Sequence, residues 1–248
     1  YLAHWFQSSG WSLKKLHRLI MSSNTYRMSK KNNSEYAAKD PENLLLWRLS
    51  YRRLEVEPLR DSVLFVSGQL NRQMYGPCMY PYVPQAALAG SSDPDKIWKP
   101  YDERDASRRT IYAFVKRSLI VPFLEVLDLC DTTRSSPQRG VTCIAPQALT
   151  LFNGHFVNEQ ARHFASRLER EAGSDARRQI QLAYRLALCR EPTDREASTM
   201  LAFLQSESTR GMSEAKQQNS KDSMTPRRLA LVQLCRAIFN LNEFAYTD

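Results

Sequence analysis

The apolar positions of this chain recur mostly at helical rather than strand spacing. Leu2, Trp5 and Phe6 share one face of a first helix. Behind Ser12, the run Leu13, Leu16, Leu19 and Ile20 keeps a 3.6-residue rhythm with Lys14, Lys15 and Arg18 turned elsewhere, predicting a helix to about Met28. The polar segment 29–39 breaks it. Asp40 followed by Pro41 reads as a helix start, the carboxylate capping free amides and the proline taking the first helical position. Pro58 has no amide to donate, so the pattern over 44–70 predicts two helical pieces or one kinked helix. In the second piece Leu59, Val63, Val66 and Leu70 form a core-facing stripe.

The middle of the chain differs in kind. Residues 71–108 carry Gly76, Pro77, Pro81, Pro84, Gly90, Pro94 and Pro100 among Tyr75, Tyr80, Tyr82 and Trp98, which predicts a long loop or insertion. Such loops are often binding edges, although amphipathic rings serve equally to pin a crossover to a core. Arg109 to Arg117, RTIYAFVKR, has the β-branched and aromatic content of one short strand. Pro122 opens a short helix or turn ending at Asp128, and Val141 to Ile144 forms an extended segment able to pair back.

Helical spacing then resumes over Pro146 to Phe152, His155 to Arg170, and the run of Ile180, Ala183, Tyr184 and Ala187, with breaks at Asn153–Gly154 and at 172–175. Thr193 with Glu196 fits a capping box ahead of a helix carrying Met200, Phe203 and Leu204. Residues 206–223 are rich in Ser, Glu, Lys and Gln and predict an exposed polar linker. Thr225 and Pro226 restart a helix whose face is Leu231, Leu234, Cys235, Ile238 and Phe239. The expected fold is mainly α: an irregular multi-helix single domain over 1–248, with a long Pro/Tyr-rich loop and at most a small two- or three-stranded β element.

With 248 residues and 42% hydrophobic content there is ample material for a core. No run approaches the roughly 18 apolar residues of a membrane span. The start at Tyr1 falls inside a helical pattern without a basic and then apolar leader, and reads as a fragment of a longer polypeptide. The formal charge of +9, from 35 Lys and Arg against 26 Asp and Glu, raises the prospect of an anionic partner. The cations come as scattered pairs such as Arg108–Arg109 and Arg227–Arg228, which also suits a solvated surface with internal ion pairs. The five cysteines are odd in number and far apart, excluding a dense disulfide scaffold. Cys189 and Cys235 sit in apolar helical contexts as small hydrophobes, while Cys130 and Cys143 flank a loop at a spacing that permits a pair.

Several chemistries are excluded by motif. No C-x-x-C-H occurs, so this chain holds no c-type haem by that route, and neither a G-x-S-x-G elbow nor a glycine-rich phosphate loop is present. His4, His17, His155 and His163 lie away from the cysteines. His155 and His163 fall eight apart on one helix without an evident carboxylate partner, so no metal and no cofactor are expected in this chain. The densest polar constellation is RRLEVEPLRD, with Arg53, Glu57, Arg60 and Asp61. Glu57 and Asp61, one turn apart, read either as an acid and base pair or as ion-pair partners of neighbouring arginines. Arg109, Tyr112, Lys116, Arg117, Asp128 and Arg139 surround the short extended segments. Convergence of these cations would make an oxyanion site, and pairing with the carboxylates would make structural glue.

Read in order, the blocks SGWSLKKLHRLIMSSNTYRMS, DPENLLLWRLSYRRLEVEPLRDSVLFVSGQLN, RRTIYAFVKRSLIVPFLEVLD, APQALTLFNGHFV and LCRAIFNLNEFAYTD closely resemble a C-terminal domain family of unknown function in planctomycete multidomain proteins. Arg53, Glu57, Arg60 and Asp61 match its charged helix block, Arg109, Tyr112, Lys116, Arg117 and Asp128 its next block, and Gln147 and Asn153 the one after. No catalytic role comes with these matches. Leu129 and Cys130 follow Asp128 where relatives more often have a small residue and proline. The resemblance implies an exported, periplasmic or envelope setting, with haem c on a separate module of the full-length protein, and an association with sulfatases and polysaccharide breakdown. The expectation is a non-haem binding or assembly domain whose partners are upstream domains of the same polypeptide or an acidic glycan. Alternatives are an enzyme or half-site acting on anionic, sulfated polysaccharide, with Glu57 and Asp61 as acid and base, and nucleic-acid binding through the basic surface, which an exported setting disfavours.

Overall fold

A computed structural model of the chain describes residues 1–89, 98–218 and 224–246. Among these residues there are thirteen α-helices, one 3₁₀ turn and three isolated β-bridges, and no sheet. The mainly α expectation holds. The chain divides into two compact units, Tyr1–Arg53 with Tyr246–Asp248, and Leu54–Ala245, where the sequence suggested a single domain.

The first unit contains α1 (Leu2–Ser8), α2 (Leu13–Met21) and α3 (Ser34–Lys39). Ser12 caps α2 as its sequence promised, accepting from the Lys15 amide at 3.4 Å. The helix stops at Met21 rather than Met28, because Ser23 turns its hydroxyl back onto the Ile20 carbonyl at 2.7 Å, the local bonding by which serine competes with a helical ladder. Asp40 and Pro41 start no helix. The buried Asp40 carboxylate does accept from free amides, those of Leu44 at 3.0 Å and Leu45 at 2.8 Å, but these bonds close a tight turn. Asn43, at a left-handed φ of 58°, continues it by bonding both the amide and the carbonyl of Arg48. Leu44, Leu45 and Leu46 are consequently exposed.

The second unit opens with α4 (Val56–Ser67), one continuous helix. Pro58 neither splits nor ends it because it lies in the first turn, where amides have no intrahelical acceptor. Gly68, with φ of 81°, terminates α4 in the left-handed conformation that glycine adopts without strain. The next helices are short: α5 (Gln85–Leu88), α6 (Glu103–Ala106) and α7 (Pro122–Val126). The longer ones follow as α8 (Ala145–Asn153), α9 (His155–Ala172), α10 (Ala176–Leu188), α11 (Asp194–Gln218) and α12 (Pro226–Phe239), and the unit ends on the short α13 (Asn242–Ala245).

Helix α9 is the axis of this unit. Val157, Ala161, Phe164, Ala165 and Leu168, spaced along one stripe, are fully buried. They face α4 on one side and α12 on the other, with Phe164 tilted against Phe239 at 5.5 Å between ring centroids. Each large apolar side chain so buried contributes roughly 1.5–3 kcal/mol. Leu54 and Ala245 are joined by a 2.8 Å backbone hydrogen bond that ties the two ends of the unit together.

Two expectations for this unit change. Residues 206–218 are not a linker but the second half of α11, which packs along α12 with Gly211 against Pro226. The polar composition misleads because Glu, Lys and Gln are good helix formers and one face suffices for contact. Residues 219–223 of the predicted linker lie outside the described residues. The expected strand over 109–117 is a 3₁₀ turn, Thr110–Tyr112, followed by single bridges from Ala113 to Met79 and from Lys116 to Leu119. The described part of 71–108 is irregular apart from α5 and α6, with 90–97 outside the described residues. Its rings pin it down: Tyr80 packs on Trp98 and Phe114 at 5.3 and 4.8 Å, and Tyr82 stacks on His155 at 4.3 Å. All five thiols are free, Cys130 and Cys143 included. Cys235 is buried as expected, but Cys189 is exposed, since α10 ends there in a left-handed residue with φ of 55°.

Candidate ligand-binding cleft

The irregular segment opposite α4 is held by two buried arginines. Arg60 stands one turn from Val56 and Leu64 on the inward face of α4 and is 4% exposed. It donates to the carbonyl of Ala106, to that of Arg108 at 3.2 Å and to Thr110 Oγ1 at 3.1 Å, and its guanidinium lies 5.1 Å from the Phe156 ring centre. Burial pulls its pKa down to about 10, so it stays a cation at neutral pH. Arg108 donates to the carbonyls of Pro77 at 2.7 Å and Tyr75 at 2.5 Å, and stacks over Tyr112 at 4.3 Å. Buried carbonyls need donors, and here two guanidiniums supply what a strand partner would otherwise give. Within RTIYAFVKR itself the backbone pairs with Met79, whose amide donates to the Tyr112 carbonyl and whose carbonyl accepts from the Phe114 amide, both at 2.8 Å.

On its outer face α4 presents Glu57, Asp61 and Phe65 at one-turn intervals. Between them and residues 109–124 lies an open cleft of about 770 Å³. Its walls are mainly apolar, with Phe65, Leu70, Phe114, Leu119 and Leu124 among them, and Glu55, Glu57, Asp61, Arg109 and Lys116 supply the charge. Asp61 accepts from the Thr110 amide at 2.7 Å and the Thr110 hydroxyl at 2.6 Å, and lies 3.4 Å from Arg109 Nε. Glu57 takes a two-pronged bond from Arg139, at 2.5 and 3.0 Å, and the same guanidinium approaches Glu55 at 3.3 Å and donates to Cys130 Sγ at 3.2 Å. Partial burial opposes ionisation of Glu57, but its bonds to Arg139 outweigh this and hold the carboxyl below its ordinary value. Hydrogen bonding to Glu57 in turn raises the Arg139 pKa. Thr132, also on the cleft, has a buried hydroxyl oxygen without a hydrogen-bond partner among the described residues.

The structure therefore brings together Glu57, Asp61, Arg109 and Lys116 at the cleft, with Arg139 clamping one end and Arg60 behind the wall. It separates the others. Tyr112 accepts from the Tyr75 amide at 2.9 Å and braces the irregular segment. Asp128, at a left-handed φ of 65°, accepts from the Thr142 amide and hydroxyl at 2.8 and 2.7 Å and from Gln147 at 3.2 Å, stapling the loop to the start of α8. Arg117 is exposed, and Arg53 is buried at the end of the first unit. Much of the positive charge is already committed: Arg228 pairs with Glu169, Arg178 with Asp175, and Arg190 with Glu196 and Glu243.

Sequence reasoning overlooked a second polar group in the same unit. His163 Nε2 lies 2.8 Å from Glu103, and Glu159, one turn before His163 on α9, completes a trio whose ligand atoms all lie within 4.8 Å of one another. The carboxylate partner that His163 lacked in the sequence comes partly from α6, 60 positions away. Glu159 was legible at i, i+4. Of the two histidines weighed together, His155 is instead taken up by the ring of Tyr82.

Fold and cleft together define a mainly helical domain with an open groove beside a helix, walled by a segment that buried arginines hold. The chain belongs to PSD1, a family of proteins of unknown function (DUF1553), whose sequence profile matches residues 1–204. That match ends inside α11, so α12, which closes the core, lies beyond it. No curated protein and no solved structure matches the chain.

Proposed function

We propose that this is a binding domain, and that the cleft beside α4 receives an amphipathic polypeptide segment from an upstream domain of its own exported, cytochrome c-linked protein. The observation that carries the reading is the cleft: about 770 Å³, apolar on its walls and charged at its edge, a size suited to a few side chains or a short peptide. The exported setting and the haem-bearing neighbour follow from the family resemblance, and the haem belongs to that neighbour. The polar groups favour binding over chemistry. A general acid needs a carboxyl kept protonated, whereas Arg139 keeps Glu57 ionised, and Asp61 is occupied by Thr110 and Arg109.

Binding of this chain to the separately expressed upstream domain, measured by calorimetry, tests the reading. Phe65 and Val115, 45% and 58% exposed at the cleft, can be changed with little cost to the core. Phe65→Ser and Val115→Glu should each weaken binding about tenfold or more, as expected for anchors in an interface. Absence of binding, or binding indifferent to both substitutions, refutes it. Binding of a sulfated glycan in its place, lost on changing Arg109 and Lys116, would transfer the cleft to an acidic carbohydrate.

A further inference from the structure

We propose that Glu103, Glu159 and His163 form a binding site for a divalent transition-metal ion, separate from the cleft. Three observations support it. The donors come from two elements that the fold holds in fixed relation: Glu159 and His163 project one turn apart from the central helix α9, and Glu103 from the first turn of α6. Helix α6 is itself anchored, since Asp102 caps it by accepting from the amides of Arg104 at 2.9 Å and Asp105 at 3.2 Å, and Ala106 is buried. The ligand atoms already lie within 4.8 Å of one another, so small rotations of exposed or half-buried side chains bring all three onto one ion.

The surroundings are those of an ion site in other respects too. Tyr101 donates its hydroxyl to Glu159 at 3.3 Å, the kind of outer contact that orients a ligating carboxylate. Beside the trio, a depression of about 570 Å³ lined by Gln69, Asn71, Ser107, Glu103 and His163 leaves room for water or an exogenous ligand to complete the coordination. Two carboxylates and one imidazole form a mixed oxygen and nitrogen set, which suits Zn²⁺, Mn²⁺, Fe²⁺ or Co²⁺ better than a thiolate-seeking ion. An ion pair alone would account for Glu103 and His163; the proposed site adds Glu159, which offers a ligand atom within 4.8 Å of the same imidazole.

Cobalt is the probe of choice, because its spectrum separates this site from the four exposed or half-exposed cysteines. Titration of the full chain with Co²⁺ should show one equivalent bound, with visible absorption and no thiolate charge-transfer band in the near ultraviolet. His163→Ala and Glu103→Gln should each weaken that uptake about tenfold or more. Glu103 is exposed, so its variant keeps the fold even if the histidine variant does not. No saturable uptake, a thiolate band accounting for all the bound cobalt, or uptake unaffected by Glu103→Gln overturns the proposal. The cleft plays no part in this test, so its outcome is independent of peptide binding.

Discussion

Replacing Arg60 by methionine tests whether buried guanidiniums hold the wall of the cleft. Methionine keeps most of the apolar stem but removes the donors to Ala106 O, Arg108 O and Thr110 Oγ1. Thr110 retains Asp61, so two buried carbonyls are orphaned. Each costs about 1–3 kcal/mol, partly offset because a buried cation no longer has to be desolvated, for a net loss of about 3 kcal/mol. For a unit of this size that is a fall in melting temperature of roughly 6–12 °C. Urea unfolding followed by circular dichroism measures it, and an unchanged denaturant slope shows that stability alone has moved. Arg60→Lys, which restores the charge but not the fork of donors, should fall between the two. A loss below about 0.5 kcal/mol for Arg60→Met would mean that the segment 106–110 holds itself and that the Arg60 guanidinium does not support the wall.

Two further outcomes follow from the packing. Arg190 joins the start of α11 to α13 through Glu196, at 2.7 and 2.9 Å, and Glu243, at 2.7 Å, and its hydrogen bonds bring the Glu196 pKa down to about 2. A lowered carboxyl stabilises the fold above its unfolded value and loses that contribution as pH falls through the folded one. The stability difference between the wild type and Glu196→Gln should therefore be constant above an ordinary value of 4.5 and shrink as the pH falls toward about 2. Because these groups are about a third exposed, the difference stays within about 1 kcal/mol, and a difference that grows on acidification contradicts the assignment. Gly154, between α8 and α9, has an ordinary negative φ, yet a Cβ there would sit 2.4 Å from the Thr150 carbonyl oxygen. Gly154→Ala should cost about 1–3 kcal/mol in chemical denaturation, and a neutral result would show that the two helices can separate freely.

The sequence by itself determined the helical character of the chain, the limits of α8 and α9 and the starts of α2, α10, α11 and α12. The capping box is formed as read, Thr193 and Glu196 bonding each other's amides at 2.8 and 3.3 Å, and Thr225 caps α12. Gly173 and Asp175 mark the break before α10, and the stripe of α9 is the core. These features depend on neighbours within about one turn, which is the range over which residue type acts through propensity and hydrogen-bonding reach. The burial of Arg60, which the sequence grouped with the charged residues of RRLEVEPLRD, was decided by the packing of α4. The sequence could not say whether the Asp40 cap closes a turn or opens a helix, since the same bonds serve both. Nor could it say that RTIYAFVKR would pair only with Met79, next to carbonyls of Ala106 and Arg108 held by Arg60. The division of the charged residues was also tertiary: Glu57 meets Arg139, and Glu103 meets His163, across separations of 82 and 60 positions. Such encounters are fixed by how α4, α6 and α9 pack, and no local pattern encodes that.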